Sequence, residues 1–282
     1  MSNPSRRDFL SGLGAAVLGG TMPTTALETT LQQTLPSSRQ LPFDLGIASY
    51  TFRAFSLDET IAMAARLDAR KLTLKDMHLP MNASEVTISS ARARIADAGL
   101  VLASLGVIYM NSEEEIRHAF AYARMAGVKI VVGVPDPSLM EVVERYVKES
   151  DIALAIHNHG PGDRRFPTPE SAYTRMAGMD KRMGLCIDIG HTQRAGLDPA
   201  KVIEGFFDRV LDIHIKDVTS SDVDGGPVEI GRGVIDIPKL LETLIRLGYS
   251  RTLHLEYEKD ETDPLPGAAE SIGYLRGVLA AR

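Results

Sequence analysis

Residues 210–217, Val-Leu-Asp-Ile-His-Ile-Lys-Asp, carry polar side chains at every second position of an apolar run. Side chains two residues apart on a strand share a face, so Asp212, His214 and Lys216 point to one side and the two isoleucines to the other. An apolar outer face combined with polar residues toward the end is typical of a parallel strand that leads into a site. The stretch therefore predicts a buried strand that ends at a polar cluster.

Seven further apolar runs predict strands of the same kind. The eight predicted strands are 45–50, 71–74, 101–107, 129–134, 152–156, 183–187, 210–215 and 252–255. Amphipathic segments lie between them, and Ser56, Ser112 and Ser138, each followed three residues later by Glu, predict helix starts. This alternation predicts the α/β class and a single (β/α)8 TIM barrel. An open doubly wound sheet is the alternative, but Ser49-Tyr-Thr-Phe-Arg53 after the first strand is not the glycine-rich phosphate loop which that fold normally shows.

Composition narrows the function classes. The 282 residues contain 31 Lys and Arg against 37 Asp and Glu, a formal net charge of −6, and no block rich in basic residues. Nucleic acid would meet net repulsion, so it is not expected as a partner. The single Cys186 excludes an internal disulfide framework and a cysteine-based zinc cluster.

The N-terminal segment predicts export. Arg6 and Arg7 precede a short, weakly apolar stretch, 11–21, which is typical of a twin-arginine signal peptide. We predict a signal over 1–26, a linker over 27–43 and the barrel over 44–282, with a periplasmic location. The stretch is too short and too rich in glycine to span a bilayer, so no membrane integration is expected. A tail that carries an arginine pair by chance is the other interpretation.

Polar residues crowd the ends of the predicted strands. His157 and His159 follow the fifth strand, Asp188 the sixth, and Glu256 the eighth, while His214 lies near the end of the seventh. Alternation allows His157, Asp188, His214 and Glu256 to converge at one height in the barrel. Two imidazoles and two carboxylates form a mixed ligand set for one divalent ion such as Mn²⁺, Co²⁺, Zn²⁺ or Mg²⁺, with two positions left for substrate oxygens.

Four short motifs carry a resemblance to a known family. They are Gly184-Leu-Cys-Ile-Asp-Ile-Gly-His191, Asp212-Ile-His-Ile-Lys-Asp217, Gly231-Arg-Gly-Val-Ile-Asp236 and Leu253-His-Leu-Glu256. In this order and at this spacing, residues 45–282 resemble the xylose-isomerase-like superfamily of sugar-phosphate isomerases, epimerases and inosose dehydratases. The resemblance implies Asp188, His214 and Glu256 as metal ligands.

The fourth ligand departs from the family pattern. The resemblance implies a Glu from the fifth strand, and this chain has His157 there. In the family's isomerases and epimerases, carboxylates from the fifth and eighth strands flank the substrate and exchange protons. Only Glu256 remains of that pair, which favours an elimination with a histidine as acid or base as the alternative chemistry.

The individual roles follow from these positions. We predict Glu256, Lys216 and His157 as catalytic residues, and His191, His78, Lys216 and His159 as substrate-binding residues. His159 is also the rival of His157 as a ligand, and Lys216 could instead form a salt bridge to Asp188 or Glu258. His191 could instead cap the helix after the sixth strand.

The resulting expectation is a divalent-metal-dependent isomerase or epimerase that acts on a sugar or keto-sugar through an enediolate-type intermediate. A metal-dependent lyase or dehydratase of a keto-sugar or inosose is the first alternative, and a non-catalytic sugar-binding barrel is the second. The expected partner is a small carbohydrate, and assembly into a homo-oligomer stays open. A metal-dependent phosphodiesterase related to AP endonucleases is disfavoured by the negative net charge and the export signal.

Overall fold

The computed structural model of the chain describes residues 43–282. The predicted export signal and the predicted linker up to residue 42 lie outside the described residues. Phe43, the last residue of that linker, is buried, and its ring centroid lies 6.3 Å from that of Tyr249.

Eight parallel strands close into a barrel in the described part of the chain. Their bounds are β1 (Asp44–Ala48), β2 (Lys71–Leu74), β3 (Val101–Met110), β4 (Ile130–Pro135), β5 (Ala153–His157), β6 (Met183–Asp188), β7 (Val210–Ile215) and β10 (Thr252–Leu255). The order around the barrel is β1-β10-β7-β6-β5-β4-β3-β2, so β10 closes the ring against β1. The closed ring confirms the predicted TIM barrel, because a doubly wound sheet would stay open.

Helices follow the strands and cover the outside of the barrel. They are α1 (Leu57–Arg66), α2 (Glu85–Asp97), α3 (Glu113–Ala126), α4 (Met140–Ser150), α5 (Pro169–Met176), α6 (Ile189–Arg194), α7 (Pro199–Gly205), α8 (Ile237–Leu247) and α9 (Pro264–Ala280). Short 3₁₀ turns span Ser49–Phe52, Pro137–Leu139 and Phe207–Arg209. No helix between residues 43 and 282 is long and apolar enough to cross a membrane.

Two of the three predicted helix starts are confirmed. The side chains of Ser56 and Ser112 each accept a hydrogen bond from the backbone N–H three residues later. The predicted start at Ser138 is wrong, since Asp136 caps the 3₁₀ turn by accepting from the Ser138 N–H at 2.9 Å, and α4 begins at Met140. Pro137 explains this choice, because its fixed φ suits the first position of a helical turn and makes the residue before it the cap.

A small hairpin follows β7 on the side of the barrel where the strands end. It pairs β8 (Asp217–Val218) with β9 (Pro227–Val228) in an antiparallel ladder. The buried Asp217 carboxylate accepts four backbone N–H groups, from Val218 at 2.9 Å, Gly231 and Gly233 at 3.0 Å and Ile235 at 3.2 Å. One side chain thus fixes the segment between β7 and α8, residues 216–236.

Candidate metal centre

Four side chains of types that can bind a metal lie together at the C-terminal mouth of the barrel, one from each of four neighbouring strands. His157 ends β5, Asp188 ends β6, His214 lies in β7, and Glu256 follows β10 directly. All four side chains are buried, and one ligand atom from each lies within 4.8 Å of the others. The structure therefore brings together the four residues that alternation predicted.

The spacing of these atoms suits a first-row divalent ion. His157 Nε2 lies 3.2 Å from His214 Nδ1 and 3.5 Å from Asp188 Oδ2, and His214 Nδ1 lies 3.3 Å from Glu256 Oε2. With metal–ligand distances of about 2.1 Å, neighbouring ligands lie about 3.0 Å apart in an octahedral shell and about 3.4 Å apart in a tetrahedral one. The residues present therefore fit one such ion.

Asp188 is held in place from two sides. Its Oδ1 caps α6 by accepting the His191 N–H at 2.7 Å, and its backbone N–H donates to Asn158 Oδ1 at 3.0 Å. The other carboxylate oxygen, Oδ2, is buried and lies 2.9 Å from Lys216 Nζ and 3.5 Å from His157 Nε2. One oxygen is thus used for structure, and the second faces the cluster.

Lys216 brings an ammonium group into the same cluster. Its Nζ lies 2.9 Å from Asp188 Oδ2 and 2.7 Å from Glu256 Oε2, and it also contacts the Glu258 carboxylate. Gly190 makes room for it, since a Cβ there would lie 2.5 Å from Lys216 Cγ. The predicted ion pairs to Asp188 and Glu258 are both present, and the third, to Glu256, joins Lys216 to a further ligand.

The charges around Lys216 keep both ligand carboxylates ionised. Burial would raise the pKa of Asp188 and of Glu256, but Lys216 and neighbouring histidines outweigh it and hold both pKa values far below their usual range. Burial would likewise lower the pKa of Lys216, but Asp188 and Glu256 raise it well above its usual value. Three carboxylates and one ammonium leave two negative charges, which one divalent cation neutralises.

The two candidate histidine ligands differ in basicity. Burial is the main reason that the pKa of His157 falls to about 4, so its imidazole is neutral at pH 7. Burial also acts to lower the pKa of His214, but the Glu256 carboxylate outweighs it and raises that pKa. His157 thus offers a free lone pair, whereas His214 holds its proton more tightly.

Cys186 offers a competing ligand set that is less suited to a cation. Its thiol lies with His157 and His214 in a second group of closely spaced donor atoms. Burial raises the pKa of this thiol well above its usual value, and a thiol must ionise before it binds a metal well. The interpretation of Cys186 as a small buried side chain fits its position.

The remaining predicted substrate-binding histidines occupy different places. His191 Nε2 lies 3.9 Å from Asp188 Oδ2, at the edge of the cluster. The ring centroid of His159 lies 4.5 Å from that of His157, but its Nε2 bonds the Tyr109 hydroxyl at 3.1 Å rather than joining the four ligand atoms. His78 is buried against Ser49 Oγ at 3.0 Å and the Phe52 carbonyl oxygen at 3.2 Å, so both of its ring nitrogens already have partners.

Tyr109 is a residue of the site region that sequence reasoning missed. Its side chain is 45% exposed, although its hydroxyl reaches His159 and the Arg165 guanidinium lies 5.8 Å from its ring centroid. It escaped notice because the predicted third strand stops at Val107, whereas β3 continues to Met110. Its place at the end of an apolar run was the signal that could have found it.

One cavity of the described residues lies elsewhere on the barrel. It has a volume of 530 Å³ and is lined by the C-terminal part of α2, the start of β3 and the end of α3, including Arg92, Leu100 and Ala126. No cluster of histidine and carboxylate side chains lines it. The chemistry of the residues, rather than the volume of a cavity, therefore places the candidate centre at the barrel mouth.

Comparisons with known proteins agree with this architecture. The chain is 27% identical to the rhizopine catabolism protein MocC of Rhizobium meliloti over 151 residues, which are 48% of this chain and 46% of MocC. The match thus spans about half the length of this curated relative.

Solved structures superpose over most of the barrel. A D-tagatose 3-epimerase-like protein matches with a TM-score of 0.69 and 18% identity, over 84% of this chain and 97% of that one. The 3-keto-D-glucoside 4-epimerase YcjR from E. coli matches with a TM-score of 0.68 and 14% identity, over 83% of this chain and 99% of its own. At these identities the likeness establishes the fold alone.

The family assignment rests on a match to a family model over most of the chain. The family model described as xylose isomerase-like TIM barrel covers residues 62–278, which include all four candidate ligands. The chain therefore belongs to the xylose isomerase-like TIM barrel family.

Proposed function

We propose that this protein is a divalent-metal-dependent isomerase or epimerase of a sugar or keto-sugar. The observation that carries the proposal is the buried set of His157, Asp188, His214 and Glu256, whose ligand atoms lie within 4.8 Å of one another. Its spacing and its two excess negative charges suit one divalent cation. The epimerase names of the structural neighbours, D-tagatose 3-epimerase-like and 3-keto-D-glucoside 4-epimerase, support the choice of reaction class.

The residues of the cluster have separate roles in the proposed proton transfer. A bound divalent cation supplies Lewis-acid polarisation of a carbonyl oxygen. The ionised Glu256 carboxylate is the base that takes the proton from the carbon next to that carbonyl. The Lys216 ammonium stabilises the negative charge that develops on the enediolate oxygen. Return of this proton by Glu256 to the neighbouring carbon gives an isomer, whereas an epimer forms when solvent delivers a proton to the opposite face of the enediolate.

A lyase of the same substrates is the second candidate. His157 occupies the position of the second carboxylate in the family pattern, and its pKa of about 4 makes it neutral at pH 7. With only one carboxylate left to exchange protons, Glu256 removes the proton from carbon and the Lys216 ammonium, 2.7 Å from Glu256 Oε2, donates a proton to the β-oxygen, which leaves as water or alcohol. The observation that favours elimination is therefore the imidazole on β5.

Metal analysis tests whether the four candidate ligands hold a divalent ion. We expect about one tightly held divalent ion per chain in the wild type and none in Asp188→Ala or His214→Ala. His118→Ala is the matched control, because His118 lies on the exposed face of α3 and must leave the metal content unchanged. A wild-type chain that holds no ion and also fails to bind added Mn²⁺, Co²⁺ or Zn²⁺ contradicts the proposal.

Proton NMR in D₂O separates the candidate reactions. An isomerase or epimerase incorporates deuterium at the carbon beside the carbonyl and releases no leaving group, whereas a lyase releases water or an alcohol. Glu256→Gln is expected to abolish either reaction, because the amide cannot accept the proton. A sugar that binds without exchange or turnover would leave only the sugar-binding barrel.

A further inference from the structure

A buried hydrogen bond joins β7, which carries His214, to β10, which Glu256 directly follows. Asp212 on β7 and His254 on β10 lie two residues before these ligands, on the same face of each strand. His254 Nδ1 donates to Asp212 Oδ1 at 2.7 Å, and both side chains are buried. His254 and His214 are register partners in the β7–β10 ladder, so the link runs directly beneath the metal centre.

The neighbouring strand is shaped around this pair. Gly46 on β1 is the register partner of His254, and a Cβ at Gly46 would lie 2.7 Å from His254 Cδ2. The imidazole, together with the Lys71 carbonyl oxygen and Thr252 Cγ2, each 2.8 Å from that Cβ position, occupies the space that a side chain at position 46 would fill. Three adjacent strands, β1, β10 and β7, are built to admit one histidine ring and its carboxylate partner.

The pair is only partly satisfied by hydrogen bonds. Among residues 43–282, Asp212 Oδ2, His254 Nε2 and the nearby Ser104 Oγ are buried and have no hydrogen-bond partner. The same three residues line a cavity of 30 Å³ in the lower half of the barrel, which is large enough for one water molecule. Taking a carboxylate and an imidazole out of water costs free energy, so such a buried pair contributes less to stability than packed apolar side chains of similar volume would.

Because the Asp212–His254 pair contributes little to stability, this link between two strands is better explained by another role. Here it crosses the β7–β10 ladder at the layer directly below His214 Nδ1 and Glu256 Oε2, which lie 3.3 Å apart. Ligand pairs must hold their separation closely, because a metal shell tolerates deviations of only about 0.2 Å. Buried polar links of this kind are best known for fixing register and geometry.

We propose that Asp212 and His254 are positioning residues for the metal centre, which fix the separation of His214 and Glu256. The inference rests on the proposed function, since it assigns the pair a role toward the ion expected there. Partners in the second layer of a metal site typically change metal affinity by about 10–100-fold when they are replaced. The Asp212–His254 link is such a partner, acting through the strands rather than through a bond to a ligand.

The test compares Co²⁺ affinity with stability in the full-length protein. In the double variant Asp212→Leu/His254→Leu, we expect Co²⁺ affinity to fall about 10–100-fold and the visible Co²⁺ spectrum to change, with a free energy of unfolding at least as high as in the wild type. Asp212→Asn keeps an oxygen that accepts the His254 N–H, so its affinity should stay near the wild-type value. Asp212→Leu alone removes that oxygen, so its Co²⁺ affinity should fall. If the double variant does not fold, the comparison of Asp212→Asn with Asp212→Leu tests the proposal.

Ser104→Ala is the matched control. Ser104 lies on β3 and lines the same small cavity as Asp212 and His254, but it takes no part in the link. Its replacement should leave Co²⁺ affinity unchanged. Wild-type affinity in the Asp212→Leu and double variants overturns this inference and leaves the proposed function standing. A wild-type protein that binds no Co²⁺ overturns both.

Discussion

Lys216 places an ammonium group between two of the four candidate ligands. Its Nζ is 2.9 Å from Asp188 Oδ2 and 2.7 Å from Glu256 Oε2, so a cation bound by these oxygens lies close to a second positive charge. Like charges at such distances repel strongly in a buried setting. In the proposed mechanism, Lys216 therefore lowers metal affinity but supplies a fixed positive charge at the enediolate oxygen.

Replacing Lys216 should separate binding from catalysis. We expect Lys216→Met to bind Co²⁺ about tenfold more tightly or better, because repulsion is removed, and to lose at least about 100-fold in kcat. Titration with Co²⁺ and steady-state kinetics give the two numbers. Lys259→Met makes the same change in net charge at the Glu229 ion pair and should alter neither one. Unchanged metal affinity in Lys216→Met would contradict the expected repulsion.

Proton release on metal binding should follow the two histidines. The raised pKa of His214 means that this imidazole is largely protonated at pH 6 and must lose its proton to become a ligand, whereas the pKa of about 4 of His157 leaves it ready to bind. We expect close to one proton released per ion at pH 6, and a release that declines toward zero as the pH rises above the pKa of His214. Calorimetry in buffers of different ionisation enthalpy measures this number. Release of two protons at pH 6 would show that His157 is also charged.

Alternation along strands predicted much of the site at this scale. The inward faces of His157, His214 and Lys216 followed from a period of two, and all three meet Asp188 or Glu256 in the structure. Periodicity carries no information on distances across the barrel, so it left the bond from His159 to Tyr109 unseen. It also could not show that His78 is engaged by the turn after β1.

At the scale of elements, the Asp217 carboxylate anchors the segment between β7 and α8. We expect Asp217→Asn to lower the free energy of unfolding by about 2–4 kcal/mol, because the new amide group turns two accepted hydrogen bonds into donor–donor contacts. Trypsin should then cut faster after Arg232, which lies in this segment. Chemical denaturation and a timed digest measure both effects.

Asp236→Asn is the control for that measurement. Asp236 caps α8 by accepting the Lys239 N–H at 3.0 Å, and asparagine caps a helix about as well as aspartate does. Its stability and digestion should stay close to those of the wild type. Equal behaviour of the two variants would mean that Asp217 does not anchor the segment.

The elements that were predicted correctly have long, repeated signals. All eight barrel strands were expected, and most boundaries agree within one or two residues, since apolar runs between amphipathic helices are hard to mistake. The β8–β9 hairpin was missed because strands of two residues show no periodicity. The helix start was wrongly placed at Ser138 because Asp136 and Ser138, two positions apart, can both cap a helical turn, and only the backbone path selects between them.

At the scale of the whole molecule, the arginine pair at the N-terminus predicts the destination. We propose that the chain is exported, and we expect Arg6→Lys/Arg7→Lys to keep the full-length protein in the cytoplasm, because lysine does not reproduce the planar guanidinium that such signals present. Cell fractionation shows the distribution. Arg164→Lys/Arg165→Lys changes the other arginine pair and should leave localisation as in the wild type. Equal export of the Arg6/Arg7 variant would refute the signal.

The labelling rate of the single thiol of the chain can report how often the barrel opens. Cys186 is fully buried one layer below Asp188, so a thiol reagent reaches it only when β6 separates from its neighbours. The rate of labelling in native buffer therefore counts rare opening events without any added probe. An ion held by residues of β5, β6, β7 and the end of β10 must leave before these strands part, so added Co²⁺ should lower the labelling rate in proportion to the fraction of chains left without an ion. The labelling rate of Cys186 thus measures how strongly a bound ion stabilises the closed barrel.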